Sequence, residues 1–143
     1  QFYENISYDY IYQCTIHADR ASRDPDVLLA AAAGWRLCSR GAGGEPAYVD
    51  GSLLCAGSIV SGAHVERSIA SSGVRVHHDA HVTDSILFPG VRVGEGARLN
   101  RCIIDKNVAV PPGTRIGFDR AADAQRFDVS ANGIVVIPKG FEF

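Results

Sequence analysis

Four of the five histidines fall in one short stretch, at His64, His77, His78 and His81. Imidazole groups can hold zinc or act as general bases, so these are the first side chains to test for chemistry. His64 and His81 stand 17 residues apart, and Arg98 and Arg115 continue the same spacing. A metal-binding row is not expected to switch to arginine, so the row reads as a solvated outward face. A second set of candidates is cationic: Arg92, Arg98, Arg101, Lys106, Arg115, Arg120, Arg126 and Lys139 crowd the C-terminal part. Acids interleave with them, so most belong to a mixed solvated surface. A few can still converge on a phosphate, which Arg and Lys bind well. No GxxxxGK[ST] loop, GxGxxG turn, GxSxG elbow or HExxH pair is present. The chain therefore holds no complete active site of those types.

The spacing of 17 is not confined to the histidines. Ile59, Val76, Val93 and Val110 repeat at that interval, as do Val65, Val82, Leu99 and Ile116. Val74, Val91 and Val108 follow it, and so do Ile69, Ile86 and Ile103. A fixed period of this kind marks a solenoid. No run has the i, i+3, i+4, i+7 pattern of a helix repeat, because Gly, Pro, Asn and Asp recur every few residues. Short β-branched strands separated by corners fit instead, three to a period. The expected fold is mainly β: a left-handed parallel β-helix of the hexapeptide type with about four coils over residues 53–117. One aliphatic side chain per face is expected to point inward and to stack on its equivalent in the next coil. A short N-terminal α/β appendage precedes the coils.

The remaining chain must frame those coils. Residues 1–16 alternate apolar and polar, which predicts a strand. Asp24-Pro25-Asp26 followed by VLLAAAA predicts a helix start. Residues 39–46, SRGAGGEP, read as a linker, so the appendage is placed at 1–43 and the β-helix with its cap at 44–143. Asp119 is expected to cap a short helix ending near Phe127. Asn132-Gly133 predicts a tight turn between two strands, and this helix and hairpin should cover the open end of the solenoid. The net charge of −2 over 143 residues argues for neither nucleic acid nor membrane as partner. Four cysteines without metal-finger spacing point to reduced thiols and a cytoplasmic setting. The absence of Met, with Gln1 at the start, reads as a piece of a longer protein.

Several runs are similar to the C-terminal β-helix of bacterial glucose-1-phosphate adenylyltransferase. They are IVSGAHV (residues 59–65), GVRV (73–76), CIIDKN (102–107), VPPG (110–113) and Ile116-Gly117, followed by AADAQRF (121–127) and GIVVI (133–137). The resemblance covers residues 44–140, and its IDKN…VPPG…IG run with the DAQRF tail is the specific part. It implies a regulatory and oligomerisation domain of an enzyme that makes ADP-glucose and pyrophosphate from ATP and glucose 1-phosphate in glycogen biosynthesis. Catalysis, with its ATP and Mg²⁺, would sit in a nucleotidyltransferase domain that is not in this chain. No catalytic residue, metal ligand or cofactor is therefore expected here, and this chain alone is expected to be inactive. The partners implied are that domain, sister subunits in a homo-oligomer, and a phosphorylated sugar effector. The family's effector pocket places one basic residue in the IDK corner and one just beyond the last strand, which match Lys106 and Lys139. The alternative is a stand-alone hexapeptide acyltransferase or a carbonic-anhydrase-like metal-binding solenoid, which would need one of the histidines at a subunit interface.

Overall fold

The computed structural model describes residues 36–38 and 46–143. The strand expected over 1–16, the helix start at 24–26 and most of the 39–46 linker lie outside the described residues. Three parallel faces make up the rest. The first contains β1 (Arg36–Cys38), β4 (Ile59–Ser61), β7 (Arg75–Val76), β10 (Arg92–Val93) and β13 (Ala109–Val110). The second contains β2 (Tyr48–Asp50), β5 (His64–Glu66), β8 (His81–Thr83), β11 (Arg98–Asn100) and β14 (Arg115–Ile116). The third contains β3 (Leu53–Leu54), β6 (Ile69–Ala70), β9 (Ile86–Leu87), β12 (Cys102–Ile104), β16 (Val135–Ile137) and β15 (Asp128–Val129). Successive strands visit the three faces in turn, so each strand pairs in parallel with its equivalent one coil later. This is the β-solenoid of about four turns that the period predicts.

The strands are too short to support themselves, and their stability comes from stacked side chains inside the coil. Val65, Val82, Leu99 and Ile116 form one inward column, in register and fully buried. Val60, Val76, Val93 and Val110 form the second. Ala70, Leu87, Ile104 and Ile137 form the third.

Two expected columns are corrected here. Ile59 is not the first member of the Val76 row: it lies opposite Arg75, and Val60 takes the inward place. The interval from Val60 to Val76 is 16, and 17 holds only from Val76 onward, because the corner from Val60 to Val65 is one residue shorter than the corner from Val76 to Val82. Ile69, Ile86 and Ile103 also do not point inward. They form an outward row on the third face, with Ile69 39% exposed. A strand turns alternate side chains to opposite faces, so in Ile69-Ala70 or Ile86-Leu87 only one of two apolar neighbours can enter the core.

Corners are where the backbone bends left-handed. Residues of positive φ stack in columns, such as Arg67, Asp84 and Arg101 at one corner and Gly73, Gly90, Asn107 and Gly140 at another. Beside the first column runs a buried hydroxyl ladder. Ser52 accepts from the Ser68 N–H at 3.0 Å, Ser68 from the Ser85 N–H at 3.1 Å, and Ser85 from the Cys102 N–H at 3.2 Å. Each hydroxyl donates in turn to the carbonyl two residues back. The ladder satisfies corner N–H groups that the strands leave over. Cys102 ends it, and burial pushes its thiol up to about 11, which removes it from thiolate chemistry.

On the outside of the same corner, Arg67 donates to Asp84 through Nε at 2.8 Å and Nη2 at 3.0 Å. The fork holds the Asp84 carboxyl below the usual range, with the hydrogen bond from Arg67 as the largest cause. A carboxyl depressed on folding adds stability above its unfolded pKa and loses it as pH falls through the folded value. Asp84→Asn is therefore expected to lower the urea midpoint at pH 7. The gap from wild type should close progressively below about pH 4. A gap that is constant from pH 7 to pH 3 would show that the pair contributes nothing.

The C-terminal end is closed as the sequence predicts. Helix α1 (Arg120–Arg126) is capped by Asp119, whose Oδ1 accepts from the Ala121 and Ala122 N–H groups. β15 and β16 form an antiparallel hairpin around residues 130–134, and β16 adds to β12 in parallel. Phe127, Phe141 and Phe143 pack ring to ring over the end, with Arg126 above Phe127.

Candidate functional site

The structure brings two of the four histidines together and leaves His77 and His78 apart from that pair. His64 and His81 lie in register on the second face, rings stacked with centroids 4.8 Å apart. Tyr48 continues the row below and Arg98 and Arg115 above. His78 contacts the Ser61 hydroxyl at 3.2 Å, and His77 is exposed. Among the described residues, no three His, Cys, Asp or Glu side chains come together as a metal site.

The basic residues are likewise not one patch. Arg92 lies beside Arg75 on the first face. Arg115 covers the Phe118 ring at 5.2 Å. Arg101 and Arg120 turn toward the hairpin, where they donate to the Asn132 and Ala131 carbonyls.

Lys106 and Lys139 are the two that the register brings to one corner. Ile104 and Ile137 are partners on β12 and β16. Asp105 follows Ile104 and donates its N–H to the Ile137 carbonyl at 2.9 Å. Each lysine sits two residues beyond its strand end, at the same position of the same kind of turn. Adjacent strands are about 4.8 Å apart, so two ammonium groups with long flexible stems leave neighbouring backbone positions. Both side chains are exposed. The turn beneath Lys106 is fixed locally: the Asp105 Oδ1 accepts the Lys106 N–H at 2.7 Å, and Asn107 adopts φ +59. Asn tolerates that left-handed region better than most residues, and Gly140 takes the same place one coil on, at φ +78. Among the described residues neither lysine forms an ion pair. Two unneutralised cations at one corner suit an oxyanion that both can reach.

Sequence reasoning pointed at Lys106 and Lys139 but passed over the convergence of Arg101 and Arg120. Their separation of 19 residues does not follow the period, because the hairpin that gathers them lies outside the repeat.

Comparison with known proteins follows the same outline. The family described as "GlmU-like, C-terminal hexapeptide" matches residues 38–137. A protein of Vibrio vulnificus named glucose-1-phosphate adenylyltransferase 2 is 55% identical over 108 residues, covering 76% of this chain and 26% of the relative. A glucose-1-phosphate adenylyltransferase of Anaeromyxobacter dehalogenans is 66% identical over 89 residues, 62% of this chain and 22% of the relative. The chain thus spans about a quarter of the length of the curated relatives it matches.

Proposed function

The chain belongs to the GlmU-like, C-terminal hexapeptide family, and from that premise we propose that it is the control domain of a glucose-1-phosphate adenylyltransferase. In this reading the solenoid docks beside a nucleotidyltransferase domain, contributes to a homo-oligomer, and binds a phosphorylated sugar that adjusts the rate of ADP-glucose formation in the cytoplasm. ATP and Mg²⁺ belong to the nucleotidyltransferase domain. Among the described residues no helix is long and apolar enough to cross a membrane.

The observation that carries the effector assignment is the placement of Lys106 and Lys139 on equivalent turn positions of adjacent coils. A phosphate at that corner would take charge-assisted hydrogen bonds from both ammonium groups. Each such bond contributes about 1.5–3 kcal/mol, so loss of either lysine should weaken binding roughly 10- to 100-fold. The test is titration of the ¹⁵N-labelled chain with fructose 6-phosphate, read at the amides of Asn107 and Gly140. Saturable shifts are expected in wild type, with the Kd raised at least tenfold in Lys106→Ala and in Lys139→Ala. A Kd unchanged in both variants removes the effector assignment.

A further inference from the structure

A cleft of about 330 Å³ opens between the last coil and the C-terminal hairpin. Asn100, Arg101, Phe118, Arg120, Asp123 and Asn132 line it. Its size is at the lower end for small-ligand sites, too roomy for a lone ion and suited to a small metabolite. Two guanidinium groups enter from different elements, Arg101 from a corner of the solenoid and Arg120 from the start of α1. Both donate to consecutive carbonyls of one turn, Arg101 to Asn132 at 2.7 Å and Arg120 to Ala131 at 3.4 Å. A guanidinium has five N–H donors, so each keeps donors to spare after that single bond.

The wall between them is of opposite character. Asp123 is only 5% exposed, and one carboxylate oxygen accepts the Gly117 N–H at 2.9 Å. No described group donates to its other oxygen. The cleft therefore joins two guanidinium groups with donors to spare, Arg101 also within electrostatic reach of Asp84, to a buried carboxylate that can accept from a hydroxyl. A phosphorylated polyol carries both groups.

We propose that this cleft is a binding site for a small phosphorylated polyol of hexose monophosphate size, distinct from the lysine corner. Arg101 and Lys106 stand at the corners on either side of β12, and neither Lys106 nor Lys139 lines the cleft. The site stands on its own geometry and does not depend on the effector reading of Lys106 and Lys139.

The test is the ¹⁵N-labelled full chain titrated with glucose 6-phosphate, followed at the amides of Gly117, Asn132 and Gly133. Saturable shifts are expected, with the Kd raised at least fivefold in Arg120→Gln and in Arg101→Gln. Arg120 is exposed, so its variant should keep the wild-type spectrum even if loss of the Arg101 contact loosens the hairpin. In a Lys106→Ala/Lys139→Ala double variant the Kd at these amides should stay within twofold. Glucose should give no saturable shift, and orthophosphate should bind at least fivefold more weakly than glucose 6-phosphate. Absence of saturable shifts, or a Kd unchanged in Arg120→Gln, overturns the site. Orthophosphate binding as tightly as glucose 6-phosphate overturns the polyol part, and loss confined to the lysine double variant assigns the shifts to the other corner.

Discussion

Gly117→Ala is expected to lower the melting temperature by roughly 10 °C. Gly117 has φ +85, and a Cβ there would fall on the Asn100 carbonyl and backbone of the preceding coil. The left-handed backbone alone costs a non-glycine residue about 1–2 kcal/mol. Overpacking adds about 1–3 kcal/mol, with the upper end expected because the obstructing atoms are backbone. The total of about 4–5 kcal/mol is a large share of a stability of ~5–15 kcal/mol, and at about 2–4 °C per kcal/mol for a chain near this size it amounts to roughly 10 °C or more. Gly113 separates the two contributions. It has φ +70, but a Cβ would meet nothing within 4 Å, so Gly113→Ala should cost only the conformational part. Calorimetry that finds equal shifts for the two variants would show that the close approach of Gly117 to Asn100 is not real.

Leu99→Ala is expected to have an effect of similar size through a different cause. Leu99 is fully buried between Val82 and Ile116 in the inward column. Removing most of its side chain loses transfer energy and leaves a cavity, about 2–5 kcal/mol together. The coil's interior is narrow, and its neighbours are held by strand register, so little collapse can fill the space. Ile86→Ala removes as many carbons from the outward row of the third face, where the side chain is only half-buried, and should cost about 1 kcal/mol or less. Urea midpoints in the order wild type, Ile86→Ala, Leu99→Ala check this. The reverse order would mean that the third face is turned inside out.

That pair of residues also marks how far the sequence could be read. The column through Val82 and Leu99 was legible because polar neighbours flank each member. The Ile86 row was misread as core because Ile86-Leu87 and Ile103-Ile104 offer two apolar residues where alternation allows one inward. The helix cap at Asp119 and the turn at Asn132-Gly133 were legible because each is specified by short-range chemistry. The shortened first corner was not, since Ile59 and Val60 are equally plausible core residues by type. Lys106 and Lys139 were singled out by resemblance, and their shared corner follows only from the pairing of β12 with β16. The hairpin itself was legible, but the meeting of Arg101 and Arg120 at its turn was not, because their separation of 19 residues falls outside the period.

The outward row of Leu53, Ile69, Ile86, Ile103 and Val136 lies in register on one side of the solenoid. Such a stripe is consistent with a chain that works against a neighbouring domain or subunit, as the control-domain reading requires.

The most direct test of that reading is a chimera in which this chain replaces the matching last quarter of the Vibrio vulnificus relative. ADP-glucose formation from ATP and glucose 1-phosphate is measured with and without fructose 6-phosphate. The account predicts an active enzyme whose rate changes with the sugar phosphate, and a ratio of the two rates that falls to one in the Lys106→Ala/Lys139→Ala variant. An inactive chimera, or a ratio that the two substitutions leave unchanged, would contradict it.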